Sequence, residues 1–190
     1  MARSISKLIG HLLVATPSLI DTHFSKSVIY ICEHDEKGIL GIMINKPLGI
    51  PIQRIFDQLG IDAQSNNSDP GDPHRQDVMM GGPVETDHGF ILYHRSTPSN
   101  SIQISDSRAL LSEIAQGKGP ERFIVSLGYA GWEPKQLGEE IRRNDWLVVP
   151  ISDTNSKALL FDTPAKDRWN TAINLLGYPP HAISTQVGHA

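Results

Sequence analysis

The chain has 190 residues, 39% of them hydrophobic, and a net charge of −4, which suits one globular domain with a sizeable core. The acidic balance disfavours direct duplex binding, since phosphate contacts need a clustered basic field. The single cysteine, Cys32, excludes an internal disulfide, and no stretch approaches the ~20 apolar residues of a membrane span.

Leu8 to Ala15 is apolar but broken by His11 and followed by Pro17, so it reads as a first strand rather than a signal peptide, with the cytoplasm as the expected compartment. Asp21 to Phe24 is a turn. Ser27 to Glu33 is a strand rich in β-branched and aromatic residues, apolar on both faces and therefore central. Glu33 to Gly38 reads as a polar hairpin turn, and Ile39 to Ile44 returns as the partner strand, ended by Asn45-Lys46-Pro47. Pro51 to Leu59 is a helix with Ile52, Ile55, Phe56 and Leu59 on one face and Gly60 at its stop. Residues 62–77 hold no large apolar side chain and are expected to form an exposed polar loop inside a single domain spanning 1–190.

Val78-Met79-Met80 leads into a tight turn at Gly81-Gly82-Pro83, and strands follow at Gly89 to Tyr93 and Ser101 to Ile104. Asp106 to Gln116 is a helix capped by serine or aspartate. Arg122 to Leu127 is a buried strand. Gly128-Tyr129-Ala130-Gly131-Trp132 then reads as a hinge between that strand and a helix over 134–144. Trp146 to Ile151 is a strand, Leu159 to Phe161 a short apolar piece, and Thr163-Pro164 opens a last helix ended by Gly177. Strands and helices mix without regular alternation, so the fold class is α+β rather than doubly wound.

Several stretches together resemble the bacterial YqgE/AlgH family. They are Pro17 to Asp21, Ser27 to His34, Asn45 to Pro47, Gly81 to Val84 with Gly89-Phe90, and Leu127 to Trp132. Further matches are Glu140, Asn144 with Trp146, Arg168-Trp169 and the terminal Gly188-His189-Ala190. The resemblance implies an α+β domain whose bent, split, mainly antiparallel sheet forms a pseudo-barrel with helices outside. It implies no assigned reaction, although one member's name is linked to regulation of exopolysaccharide genes.

The residues leave three functional readings. Cys32 and His34 lie two apart on a strand and would share a face, as a thiol nucleophile or redox sensor needs. Against this, Cys32 continues the face of Val28 and Tyr30 and reads as a buried small apolar residue, while His34 sits where the hairpin turn breaks the alternation. The histidines show no paired ligand spacing; His23, His74, His88 and His94 lie beside turn residues, so neither a metal nor a cofactor is expected. Gly81-Gly82-Pro83 lacks the lysine and hydroxyl residue of a phosphate loop, and G-Y-A-G-W does not match a dinucleotide fingerprint. The first reading is therefore a binding or regulatory module for an unknown protein or small molecule. Its surface would comprise Glu33, Asn45, Gly81, Gly82, Pro83, Gly128, Tyr129, Gly131, Trp132 and His189. The thiol mechanism at Cys32 is the second reading, and a transcriptional regulator the third. Oligomeric state is left open.

Overall fold

The computed structural model describes residues 8–20, 23–63, 73–96, 101–150 and 157–177. Its elements in chain order are β1 (Leu12–Ala15), β2 (Val28–His34), β3 (Ile39–Met43), β4 (Pro47–Pro51), α1 (Ile52–Leu59), β5 (Asp77–Met80), β6 (Val84–His94) and β7 (Ile102–Ser105). Then come α2 (Arg108–Ala115), β8 (Arg122–Trp132), α3 (Gln136–Arg142), β9 (Trp146–Val149), a π-helical turn over Ala158–Asp162, and α4 (Arg168–Asn174). The nine strands make one mixed sheet beside the helices, an α+β arrangement as expected. No helix among the described residues is long and apolar enough to cross a membrane.

Strand β8 joins two halves of the sheet. Its first part runs between β5, in parallel, and β6, antiparallel, through Phe123 to Leu127. Its last part, Ala130 to Trp132, pairs with Gly41 to Ile39 of β3. From β3 the sheet continues through β2 and β1 to β9, all antiparallel. The other half carries β4 outside β5 and β7 outside β6. Among the described residues the strand pairing does not close, so it does not form the ring of the expected pseudo-barrel.

The strand-to-helix hinge at 128–132 is corrected by this topology. These residues finish an eleven-residue strand rather than a turn, and α3 starts only at Gln136. Gly128 does bend the chain, with φ +72° inside β8. A left-handed residue within a strand interrupts the ladder and redirects the strand. The aromatic pair after it obeys strand alternation, so Ala130 and Trp132 are buried while Gly131 is exposed.

Three packed clusters hold the fold. One joins Val28, Tyr30, Ile42, Leu92 and Ile124 to Ala172 and Ile173 of α4. A second sits on the opposite face of β2, where Ile29, Ile31 and Met43 meet Trp132, Leu137 and Trp146. The third packs Ile52 and Phe56 of α1 against Leu110, Leu111 and Ile114 of α2. Burying both faces of β2 explains its continuous apolar run; each such side chain contributes about 1.5–3 kcal/mol.

Other expectations shift. The 62–77 segment is not wholly an exposed loop: residues 64–72 lie outside the described ones, but His74 is 3% exposed and packs edge-on to Phe56, with 5.3 Å between the rings. His94 is also buried, as the inward residue at the end of β6. Strand β4 was not foreseen, because two prolines frame it; as a sheet edge it tolerates them. Ser107 caps α2 by accepting from Leu110 N at 3.4 Å. Thr163 does not cap the last helix. Its hydroxyl donates to Ala158 O at 3.0 Å, and a 3₁₀ turn over Ala165–Asp167 precedes α4.

Candidate functional site

The β2–β3 hairpin positions the site. Asp35 Oδ1 accepts from the amides of Lys37 at 2.8 Å and Gly38 at 3.2 Å, while Asp35 N donates to Gly38 O at 3.0 Å. This holds the tip through the carboxylate's affinity for neighbouring amides. The hairpin then lies on the end of β8. A Cβ at Gly38 would meet Trp132 O at 2.6 Å, so only glycine allows that approach. Between the hairpin and β8 runs a groove of about 560 Å³. Glu33, Asp35 and Lys37 line its hairpin side, Tyr129, Gly131 and Trp132 its β8 side, and Val84, Glu133 and Gln136 its ends.

The two aromatic residues divide their roles. Trp132 is 6% exposed, and its Nε1 donates to Glu140 Oε2 at 2.8 Å. Trp146 Nε1 donates to the same oxygen at 2.8 Å, and the two indoles meet edge to face, 5.8 Å between ring centres. Trp132 is therefore a core anchor that shows the groove only part of its surface. Tyr129 is half-buried, faces the other side of β8 and packs edge-on against Phe90. Its hydroxyl has no hydrogen-bond partner among the described residues. Gly131, directly beside its ring, has no side chain to cover it. Three carboxylates against one ammonium give the groove an acidic character.

Of the residues singled out from sequence, Glu33, Tyr129, Gly131 and Trp132 meet in this groove. Gly81, Gly82 and Gly128 lie behind it and serve packing. A Cβ at Gly81 would sit 2.1 Å from Gly128 O, and one at Gly82 would sit 2.1 Å from the Tyr129 carbonyl carbon. Two backbones cross there with no room for a ligand. Pro83 is exposed but outside the lining. Asn45 is spent on backbone: Oδ1 accepts from Val28 N and Nδ2 donates to Lys26 O, each at 2.8 Å. His189 lies outside the described residues. Val84, Glu133 and Gln136 were missed, since nothing local in the sequence brings 84, 133 and 136 together.

Cys32 is placed apart from the groove. The pairing of β2 with β3 slips between Ile31 and Glu33, so Cys32 sits in a bulge. Its thiol donates to Tyr30 O at 3.5 Å, and the side chain borders a void of about 30 Å³ with Leu92, Ile102 and Ile104. Burial pushes the thiol well above its ordinary range, with the Glu33 charge adding to the effect. That is the reverse of an activated nucleophile. His34 Nδ1 accepts from Leu8 N at 3.1 Å, which places a ring proton on Nε2 and leaves Nδ1 occupied. Among the described residues, no three His, Cys, Asp or Glu side chains gather as metal ligands.

An AlgH-like family model matches residues 12–181. A UPF0301 protein of Coxiella burnetii is 45% identical over 185 residues, covering 96% of this chain and 97% of its own. A UPF0301 protein of Shewanella sp. (strain ANA-3) is 43% identical over 194 residues, covering 98% of this chain and all of its own. The solution structure of the AlgH protein from Pseudomonas aeruginosa is similar along the whole of both chains, with 37% identity and a TM-score of 0.73. A crystal structure of a Corynebacterium diphtheriae protein shares the fold at 21% identity and a TM-score of 0.69, covering 97% of this chain and 95% of that one.

Proposed function

The chain belongs to the AlgH-like family, and from that premise we propose that it is a cytoplasmic binding or regulatory module. It engages a partner in the groove between the β2–β3 hairpin and β8 and performs no chemistry there. One observation carries the reading. Tyr129 lines an acidic groove with its ring beside the side-chain-free Gly131, and its hydroxyl has no partner among the described residues. Aromatic groups with one polar tip are the common anchors of recognition surfaces. The acidic lining favours a partner that presents basic or amide groups to Glu33, Asp35 and Glu133. The thiol reading is weaker, because burial raises the Cys32 thiol.

The test is affinity capture from bacterial lysate with three baits: the wild type, Tyr129→Ser, and Arg95→Ala at an exposed position just past β6. A partner held by the wild type and Arg95→Ala, and lost about tenfold or more by Tyr129→Ser, is expected. Identical captures by all three would overturn the groove as the binding site.

A further inference from the structure

A second cleft lies on the other half of the molecule, where β5 and the start of β8 face the Ala158–Asp162 turn. Its volume is about 630 Å³, within the range of small-ligand sites. Arg168 lines it and is 6% exposed. Nε donates to Thr163 O at 2.9 Å and Nη1 donates to Ile44 O. Both acceptors are neutral carbonyls. No carboxylate among the described residues lies within ion-pair distance of this guanidinium, and Nη2 has no protein partner among them.

A buried cation held only by carbonyls is uncommon, because desolvation is costly without a counterion. That burial pulls the Arg168 guanidinium down to about 10. Two nitrogens are tied down, fixing the fork, the third has no partner among the described residues, and the residue lines the cavity. The turn beside it is π-helical, a winding that recurs at functional sites. It brings Phe161 to the cleft wall, in the same apolar cluster as Met79, Ile124 and Leu160. At the mouth, Arg122 pairs with Asp162 at 3.0 Å and so is already neutralised. Asp77 and Glu121 add two carboxylates to the rim.

We infer that this cleft binds a small organic acid, one carboxylate oxygen on Nη2 of Arg168 and the apolar body against Phe161 and Met79. A charge-assisted bond to a fixed, desolvated donor is the strong kind. The rim carboxylates select for one negative charge, since each added charge on the ligand is repelled by Asp77 and Glu121. Nucleotides and other polyphosphates are thereby disfavoured. The site is separate from the groove and stands or falls independently of it.

The test is a ¹H–¹⁵N NMR titration of the full chain with benzoate, its neutral isostere benzamide, and inorganic phosphate. Benzoate is expected to shift the Arg168 Nε–Hε signal and the amides of Phe161 and Asp162 saturably. Benzamide should bind about tenfold more weakly or worse, the loss of one charged contact. Arg168→Gln should weaken benzoate by at least that factor. If that variant folds poorly, the wild-type comparison of the three probes decides alone. Equal shifts with benzamide, tighter binding of phosphate, or no saturable shift with benzoate would each overturn the inference.

Discussion

Glu140 offers the most quantitative check on how the groove is held. One oxygen, Oε2, accepts from both buried indoles, Trp132 and Trp146, each at 2.8 Å. The other, Oε1, accepts from Gln136 Nε2 at 2.9 Å. In Glu140→Leu both indole N–H groups lose their acceptor in a packed region where each tryptophan is at most 6% exposed. An orphaned buried donor costs about 1–3 kcal/mol. Two together give about 2–6 kcal/mol, a large part of a domain's total stability. In Glu140→Gln the amide oxygen can take the Oε2 position and keep both indoles bonded. The charge assistance is lost and the amide nitrogen opposes Gln136, so about 1–2 kcal/mol is expected. Urea unfolding followed by far-UV circular dichroism measures both without relying on tryptophan emission. A Glu140→Leu protein as stable as the wild type, or two variants equally destabilised, would refute the claim that this carboxylate holds the two rings.

Three further outcomes follow from the geometry. Gly128→Ala puts a Cβ 2.5 Å from Gly82 O at φ +72°, and should cost more than about 3 kcal/mol. Gly177→Ala, at φ +77° with nothing within 4 Å, should cost only about 1–2 kcal/mol; equal losses in urea midpoint would sink the backbone-crossing account. Alkylation of Cys32 at pH 8 should be slower in the folded than in the denatured chain, and a faster folded rate would restore the thiol mechanism. Because the folded thiol titrates above the unfolded one, the unfolded state loses its proton first. Stability is then full below about pH 8.5 and falls as pH rises past it. Between pH 8 and 10 the wild type should lose up to about 2 kcal/mol relative to Cys32→Ala, read from paired urea titrations.

Local signals were legible where one principle governed them. The run Val28 to Ile31 announced a strand buried on both faces, and all four residues are buried. Of Ile52, Ile55, Phe56 and Leu59, expected on the inner face of α1, Ile52 and Phe56 are fully buried while Leu59 is exposed, and Gly60 does stop the helix at φ +63°. Ser107 was readable as a cap. The failures came where distant contacts decided. Gly-Tyr-Ala-Gly-Trp has the composition of a turn, yet pairing with β3 extends β8 through it. His74 lies in a polar stretch, yet Phe56 and Ile114 enclose it: the ring packs on Phe56 and its Nε2 lies 3.4 Å from Ile114 O. Neither contact leaves a trace within ten residues of sequence.

The same division explains what could be read of the sites. The glycines at 81, 82 and 128 looked functional because glycine marks close approach, and close approach is what they provide. The approach is of backbone to backbone, so their role is to let β8 bend sharply enough to serve both halves of the sheet. That bend delivers Tyr129 and Gly131 to the groove and leaves Arg122 to Ile124 on the far cleft. Arg168 and Glu140 gave no signal of their own, since a lone arginine or glutamate on a helix reads as a solvated charge. Burial changes their meaning. Glu140 becomes the shared acceptor of two indoles, and Arg168 a cation whose partners are carbonyls 5 and 124 residues away. A substitution that relaxes the Gly128 bend should therefore disturb the groove and the Arg168 cleft together, whereas changes at Tyr129 or Arg168 should each affect one alone.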